Sequence, residues 1–248
     1  MSQVRLLLAL FLLIALPSTA GPLPRIAIII DDLGYQLQAG RRAIKLPGPV
    51  AFAVLPGTPQ GSLLAQLANA QGKEVLLHLP LEAVDYQGPP EPGAIMLDMS
   101  RATFQSTFAE AIATVPFAIG VSSHRGSLLT RHPGHMQWLM QEILARENLF
   151  FIDSYTTHES IALRMAAEAG VAATRRDVFL DNDRTPQAIL REFERLKAKA
   201  LEQGQAIAIG HPFAETLDLL ERELPRLMDE GFELVTISEL LPKPLNRI

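Results

Sequence analysis

The sequence predicts an α/β fold built as a (β/α) barrel. Seven or eight short apolar runs alternate with stretches of helical periodicity, which is typical of a mostly parallel sheet with right-handed crossovers. Polar residues follow at least six of these runs along the whole chain. An open doubly wound sheet would concentrate such residues near one switch point, so we favour the barrel.

Residues 1–20 have the pattern of a signal peptide. Arg5 precedes an apolar run over residues 6–16, and small residues come before a predicted cleavage site at Gly21. The run is shorter than the about 20 apolar residues that a membrane span needs, and an uncleaved anchor is the alternative. We therefore expect a periplasmic mature chain, residues 21–248, without an integral membrane domain.

Composition excludes several classes of protein. The net charge is −5 and no basic tract occurs, which argues against nucleic acid and anionic membranes as partners. The absence of cysteine excludes disulfides, thiolate metal sites and a cysteine nucleophile. No Gly-x-Gly-x-x-Gly motif follows the first strand and no Gly-x-x-x-x-Gly-Lys loop occurs, which argues against dinucleotide or nucleotide binding. The length suits one large domain or two small ones, and it sets no oligomeric state.

The first predicted strand is an unbroken apolar run that ends in Asp31, Asp32 and then Gly34. Such a run indicates a strand buried on both faces. Two carboxylates at its end are unfavourable unless a cation or dense hydrogen bonding offsets their desolvation. Neighbouring side chains of a strand point to opposite sides, so one aspartate can bind a metal while the other faces a reacting water. A turn that closes a buried strand is the alternative.

The other elements follow in order along the chain. Ser100 and the pair Thr185-Pro186 are helix-start signals, whereas Gly170 and Gly204 are helix stops. Apolar periodicity predicts helices around 63–68, 104–112, 136–144, 161–169 and 189–200, with a further helical stretch before the last strand. Later strands are predicted at 50–55, 75–80, 117–121, 149–152, 178–180, 206–209 and 234–237.

Chemically active side chains lie in or just after these strands. In a parallel α/β fold all the strand ends lie on one face, so residues far apart in sequence converge there. Two or three imidazoles with a carboxylate suit zinc, whereas calcium requires more oxygens. Each residue alone has an ordinary alternative, such as a buried histidine, a helix cap or a loop residue. The set is Asp31, Asp32, His78, His124, Asp153, Asp181 and His211.

These motifs together resemble the divergent polysaccharide deacetylase family, a remote branch of the metal-dependent polysaccharide deacetylases. The resemblance covers nearly all of the mature chain in the right order. It implies a single domain with an irregular (β/α) barrel of the polysaccharide-deacetylase type, acting on N- or O-acetylated glycans. The matching segments are Ile-Ile-Ile-Asp-Asp-Leu-Gly (28–34), Leu-His-Leu-Pro-Leu-Glu (77–82), Gly-Val-Ser-Ser-His-Arg-Gly-Ser (120–127), Phe-Ile-Asp-Ser (151–154), Arg-Asp-Val-Phe-Leu-Asp-Asn (176–182) and Ala-Ile-Gly-His-Pro (208–212).

The resemblance also implies roles for matching residues. Asp31 would be the general base and His211 the general acid. Asp32, His78 and His124 would bind a divalent metal, for which we favour zinc. Further candidates for substrate contacts or for support of the ligands are Asp153, Asp181, Arg125, Glu82 and Tyr35.

The chain departs from the family pattern in two places. The ordinary deacetylases carry a second metal-binding histidine four residues after the first, where this chain has Glu82, so His124 must supply that imidazole. The motif around His124 reads Ser-Ser-His-Arg-Gly-Ser, where the divergent family usually has Asn-Asn-His-Met-Gly-Ser. A guanidinium at Arg125 is unfavourable near a metal unless it points toward Asp31 or an anionic substrate.

The sequence therefore leads to three functional hypotheses. The first is a periplasmic metal-dependent hydrolase that removes acetyl groups from a cell-envelope or extracellular polysaccharide, with a metal-activated water attacking the acyl carbon. The second is a non-catalytic metal- or glycan-binding envelope module on the same barrel. The third is a metal hydrolase of another ester or amide.

Overall fold

The computed structural model describes residues 21–146 and 149–242, and the predicted signal peptide lies outside this range. The strands of the described residues form one parallel nine-stranded sheet. They are β1 (Arg25–Leu33), β2 (Ala51–Val54), β3 (Val75–Leu81), β4 (Ala118–Arg125), β5 (Phe150–Asp153), β6 (Ala173–Arg175), β7 (Val178–Phe179), β8 (Gln205–Gly210) and β9 (Glu233–Leu234).

The strand order is β6-β5-β4-β3-β2-β1-β8-β7, with β9 paired to the start of β1. The two end strands of this row lie on one short segment, residues 173–179. Its first part pairs with β5 and its second part pairs with β8. One piece of chain thus passes from one end of the row to the other, and the prediction of an irregular, single-domain (β/α) barrel is confirmed.

Seven helices lie along the described chain and alternate with most of the strands. Ser100 Oγ accepts a hydrogen bond from Thr103 N–H at 3.2 Å, and Thr185 Oγ1 accepts one from Ala188 N–H at 3.4 Å, as the capping signals predicted. The helices are α1 (Leu37–Ile44), α2 (Gly61–Ala70), α3 (Arg101–Ala113), α4 (Pro133–Leu144), α5 (Ala162–Ala169), α6 (Pro186–Gln203) and α7 (Ala214–Glu223). No helix of the described residues is long and apolar enough to cross a membrane.

Strand β1 is buried on both faces, as predicted. Ile28 and Ile30 belong to the large cluster that packs under the helices. Ala27 and Ile29 belong to a second, smaller cluster with residues of β2, β3, β5 and β8, which fills the inside of the barrel. Alternate residues of each strand therefore face the helices or the barrel interior.

The structure differs from the sequence-based prediction at weakly patterned segments. Helix α1 was not predicted, because only a narrow face of it is buried. Strand β6 was not predicted, because it has three residues and none of them is buried. The predicted last strand at 234–237 ends at Leu234. Thr236 instead donates its N–H to Glu239 at 2.9 Å, which turns the chain into a 3₁₀ helix, Ser238–Leu240.

Candidate metal centre

The alternation along the strands selects which polar side chains enter the barrel. Asp31 continues the inward series of Ala27 and Ile29. Leu76 also faces inward, so His78, two residues later in β3, faces inward as well. The parallel register pairs His78 with Ser122 of β4 and Pro80 with His124. Since a parallel sheet aligns all its carboxyl ends, the inward polar side chains share one end of the barrel.

Three side chains from three strands meet there at short distances. Asp32 Oδ1 lies 3.0 Å from His124 Nδ1 and 3.3 Å from His78 Nε2. The two ring nitrogens are 3.1 Å apart. Tetrahedral zinc with bonds of about 2.0–2.1 Å requires ligand atoms about 3.3 Å apart, so the triangle has nearly the dimensions that such an ion needs.

The electrostatics of this triangle favour a cation. Burial raises the pKa of Asp32, but the adjacent imidazoles of His124 and His78 outweigh burial and hold that pKa far below its usual range. Beside it, burial raises the pKa of Asp31, and Asp31 Oδ1 is buried without a hydrogen-bond partner in the described chain. One carboxylate and two imidazoles, with an unsatisfied carboxylate oxygen nearby, fit a borderline divalent metal.

Backbone strain accompanies the site. Three non-glycine residues at or after strand ends, Asp32, Arg125 and Tyr155, have φ of 60°, 57° and 51°. Such left-handed conformations cost roughly 1–3 kcal/mol each and occur preferentially at functional sites. At Asp32 the turn breaks the strand alternation, so that Asp32 reaches the same space as the inward-facing Asp31.

His78 is held in place by Ser122, a fully buried residue of β4. Ser122 Oγ lies 2.7 Å from His78 Nδ1. A proton on Nδ1 donated to this oxygen leaves Nε2 free to face Asp32 and His124. A partner of this kind fixes the tautomer and orientation of a metal-binding histidine.

Replacing Ser122 by alanine is expected to weaken zinc binding about 10-fold, because the ring of His78 loses the partner that orients it. The dissociation constant can be measured by competition with a chromogenic chelator. Ser123→Ala is the matched control, since the adjacent buried Ser123 accepts a hydrogen bond from Ser154 N–H rather than from a histidine. Equal zinc affinity of both variants would contradict the assignment of Ser122 as the residue that orients His78.

His211 is held on the opposite side of Asp32. Asp181 Oδ1 lies 2.9 Å from His211 Nδ1, and Asp181 Oδ2 accepts hydrogen bonds from His211 N–H and Thr216 Oγ1–H at 2.6 and 2.7 Å. His211 Nε2 is therefore directed into the site, 3.6 Å from Asp32 Oδ2. Burial lowers the pKa of His211, but the carboxylate of Asp181 outweighs burial and raises that pKa overall.

Two predicted candidates lie away from this cluster and hold loops instead. Asp153 follows outward-facing Phe151, and it accepts hydrogen bonds from Tyr155 N–H at 2.9 Å and Ser160 Oγ–H at 2.6 Å. The carboxylate of Glu82 accepts a hydrogen bond from Leu97 N–H at 2.6 Å. Neither carboxylate contacts the three metal-facing side chains in the part of the chain that the structure describes.

Tyr35 and Arg125 lie at the edge of the site. Tyr35 is 53% exposed and lines a cavity of about 210 Å³ together with Asp32, His211 and Phe213. Arg125 does not contact Asp31. Its guanidinium lies over the ring of Tyr86 at 4.0 Å and contacts Glu91.

A second cavity, of about 580 Å³, is lined by Phe179, whose ring centroid lies 5.2 Å from that of His211. Phe213, which lines the small cavity, lies 5.3 Å from His211 by the same measure. The other walls of the large cavity include Tyr155, Arg176, Asn182 and Arg191. Each of the two cavities is thus lined by a phenylalanine that packs near His211.

The sequence argument missed three residues that support this centre: Ser122 as a partner of His78, Glu91 beside His124, and Thr216 beside Asp181. Ser122 could have been found from its register with His78. Glu91 lies in a Pro/Gly-rich loop and Thr216 in a helix, and no local pattern marks either one.

Solved structures with the same fold include proteins of different activity. An uncharacterized protein, ATU2773 of Agrobacterium tumefaciens, superposes with a TM-score of 0.84 at 24% identity, covering 90% of this chain and 92% of that one. The catalytic domain of a peptidoglycan N-acetylglucosamine deacetylase from Eubacterium rectale has a TM-score of 0.57 at 14% identity, with coverages of 93% and 100%. BA3943 of Bacillus anthracis, a CE4 family pseudoenzyme, has a TM-score of 0.53 at 13% identity, with coverages of 89% and 66%.

Sequence comparison identifies the family directly. The uncharacterized protein YibQ of Escherichia coli is 35% identical over 236 residues, which cover 95% of this chain and 72% of YibQ. Residues 28–241 match the family defined as divergent polysaccharide deacetylase. That range contains Asp31, Asp32, His78, His124 and His211. The chain therefore belongs to the divergent polysaccharide deacetylase family.

Proposed function

We propose that this protein is an exported, metal-dependent hydrolase that removes acetyl groups from a cell-envelope or extracellular polysaccharide. The observation that carries the proposal is the triangle of Asp32, His78 and His124, with a buried, unpartnered carboxylate oxygen of Asp31 nearby and the oriented imidazole of His211 beside Asp32. Family membership supports the choice of an acetylated glycan. The pattern of residues 1–20 supports export to the periplasm.

The residues that would hold the metal are Asp32, His78 and His124. Two nitrogens and one oxygen favour zinc among the divalent metals, and three protein ligands match the composition of catalytic zinc sites. A divalent cation bound there would polarise the acyl carbonyl and make a water molecule more acidic.

Asp31 would accept the proton of the attacking water. Its Oδ1 is buried and unpartnered, and its Oδ2 lies 3.4 Å from His78 Nε2. Burial raises its pKa, which makes the carboxylate a better proton acceptor than an exposed one.

His211 would donate a proton to the leaving amine or alcohol. Its Nδ1 is held by Asp181, so Nε2 faces the reacting groups beside Asp32. The raised pKa of His211 favours the protonated form that a general acid requires.

The two cavities whose phenylalanine walls pack near His211 are the proposed glycan-binding cleft. Tyr35 and Phe213 offer aromatic surfaces in the smaller cavity, and Tyr155 and Phe179 offer them in the larger one. Hydrogen-bonding side chains accompany the aromatic ones in the larger cavity. A sugar chain that crosses the site from one cavity to the other would pass His211.

Metal content and turnover test this function together. Elemental analysis of the purified protein, after zinc or nickel is supplied, is expected to give about one divalent ion per chain, since one three-ligand site is present in the described chain. The loaded protein is then assayed for acetate release from N- and O-acetylated oligosaccharides and from simple esters. Faster release from acetylated sugars than from simple esters supports the deacetylase, and the reverse supports a different ester or amide hydrolase.

The second candidate is a non-catalytic metal- or glycan-binding module. The observation in its favour is that the fold is shared by a pseudoenzyme as well as by deacetylases, so the fold alone does not separate the two functions. Such a module would bind a glycan without acetate release under any divalent metal. Absence of metal under all loading conditions would exclude the hydrolase.

A further inference from the structure

Glu91 lies beside the metal centre in the Pro/Gly-rich segment between β3 and α3. Its Oε2 lies 3.1 Å from His124 Nε2, the ring nitrogen that faces away from Asp32. Its Oε1 lies 3.3 Å from Arg125 Nη2. We propose that Glu91 is a positioning residue that orients His124 and neutralises Arg125 beside the metal. This inference rests on the metal-dependent function proposed above.

The loop around Glu91 is held firmly in place. Ile95 is fully buried and forms a bridge with Leu81 of β3. Ala94 N–H donates a hydrogen bond to the carbonyl of Glu91 at 3.0 Å. Gly93 has φ of 72° and packs closely, since a Cβ there would lie 2.9 Å from Pro56 Cγ. The carboxylate of Glu91 is thus presented to His124 by a fixed backbone rather than by a free loop.

The first effect of Glu91 is on the ring of His124. A neutral imidazole carries one proton, and only the bare nitrogen can bind a metal. A carboxylate 3.1 Å from Nε2 favours the tautomer that carries its proton on that nitrogen, which leaves Nδ1 bare, 3.0 Å from Asp32 Oδ1. Without Glu91 the other tautomer and a flipped ring would compete with this arrangement.

The second effect of Glu91 is on the charge of Arg125. This guanidinium follows His124 directly in sequence and would repel a divalent cation at the centre. Its contact with Glu91 and its position over Tyr86 place it beside a carboxylate and an aromatic face. An arginine at this position therefore requires an acidic partner, and Glu91 is the carboxylate that contacts it in the described chain.

The test is the zinc affinity of the full chain, measured by chelator competition. Glu91→Gln is expected to weaken zinc binding 10- to 100-fold, the range that partners of metal-binding histidines show. Glu91→Gln/Arg125→Met is expected to regain part of this loss, because the uncompensated positive charge is gone. Glu110→Gln is the matched control, since exposed Glu110 lines the same surface cavity as Glu91 and is expected to leave the affinity unchanged.

If Glu91 only stabilises its loop, the experiment gives a different result. Glu91→Gln would then have a lower thermal unfolding temperature and an unchanged zinc affinity, and the double variant would show no recovery of zinc affinity. In zinc-loaded wild type, nitrogen-15 spectra of the histidine rings are expected to show His124 protonated on Nε2. Protonation on Nδ1 would overturn the inference.

The outcomes separate this inference from the function on which it rests. Zinc binding by wild type with an unchanged affinity in Glu91→Gln overturns the role of Glu91 alone. Absence of zinc binding by wild type overturns both. If Glu91→Gln does not fold, the Arg125→Met variant provides the test. It is expected to bind zinc at least as tightly as wild type. A 10-fold weaker affinity would refute the claim that Glu91 neutralises an unfavourable charge on Arg125.

Discussion

Replacing Asp32 by asparagine is expected to weaken zinc binding by at least about 100-fold, since changes to residues that only support the ligands already cause losses of 10- to 100-fold. Asparagine keeps the shape of the side chain but removes the charge that pairs with the metal. It also tolerates the left-handed backbone at this position, where φ is 60°, better than most residues do. The affinity is measured by chelator competition, and acetate release should fall with bound zinc.

The matched control is Asp98→Asn, which neutralises an exposed aspartate outside the centre. Circular dichroism and thermal unfolding of the metal-free Asp32→Asn protein should show that the barrel still folds cooperatively. Asp32→Ala adds a second comparison, because it loses the charge and also places alanine in an unfavourable φ region. Full zinc binding and full turnover in Asp32→Asn would remove Asp32 from the ligand set.

Replacing His211 by alanine is expected to lower kcat on an N-acetylated sugar by about 10²- to 10⁴-fold, the usual contribution of a general acid or base. Zinc content should stay unchanged, because His211 Nε2 lies outside the triangle of ligand atoms. The loss should be much smaller for a phenyl acetate with an acidic leaving group, since that phenolate departs without a proton.

Comparing the two substrates makes this experiment specific. If His211 is a general acid, the loss of activity depends on the leaving group. If the substitution only disturbs the site, the loss of activity is the same for both substrates. His158→Ala, which removes an exposed imidazole, is the control and should keep both activities. A loss of bound zinc in His211→Ala would contradict the proposed role.

The sequence by itself determined the succession of most strands and helices along the chain. It also determined most of the residues that meet at the strand ends. These features depend on local rules. Unbroken apolar runs indicate strands buried on both faces, and caps such as Ser100 and Thr185 define helix starts within a few residues. Local rules brought seven candidate side chains together, and the resemblance to a family then selected the three residues of the metal-facing triangle among them.

Only the tertiary structure decided which carboxylates belong to the site. Asp32 joins Asp31 because its backbone turns at the strand end, whereas Asp153 points away from the barrel interior on the outward face of β5. Glu91 reaches His124 across a long stretch of intervening chain, and it explains how Arg125 is accommodated. These placements depend on backbone strain, strand parity and contacts between distant segments, and no pattern of neighbouring residues encodes them.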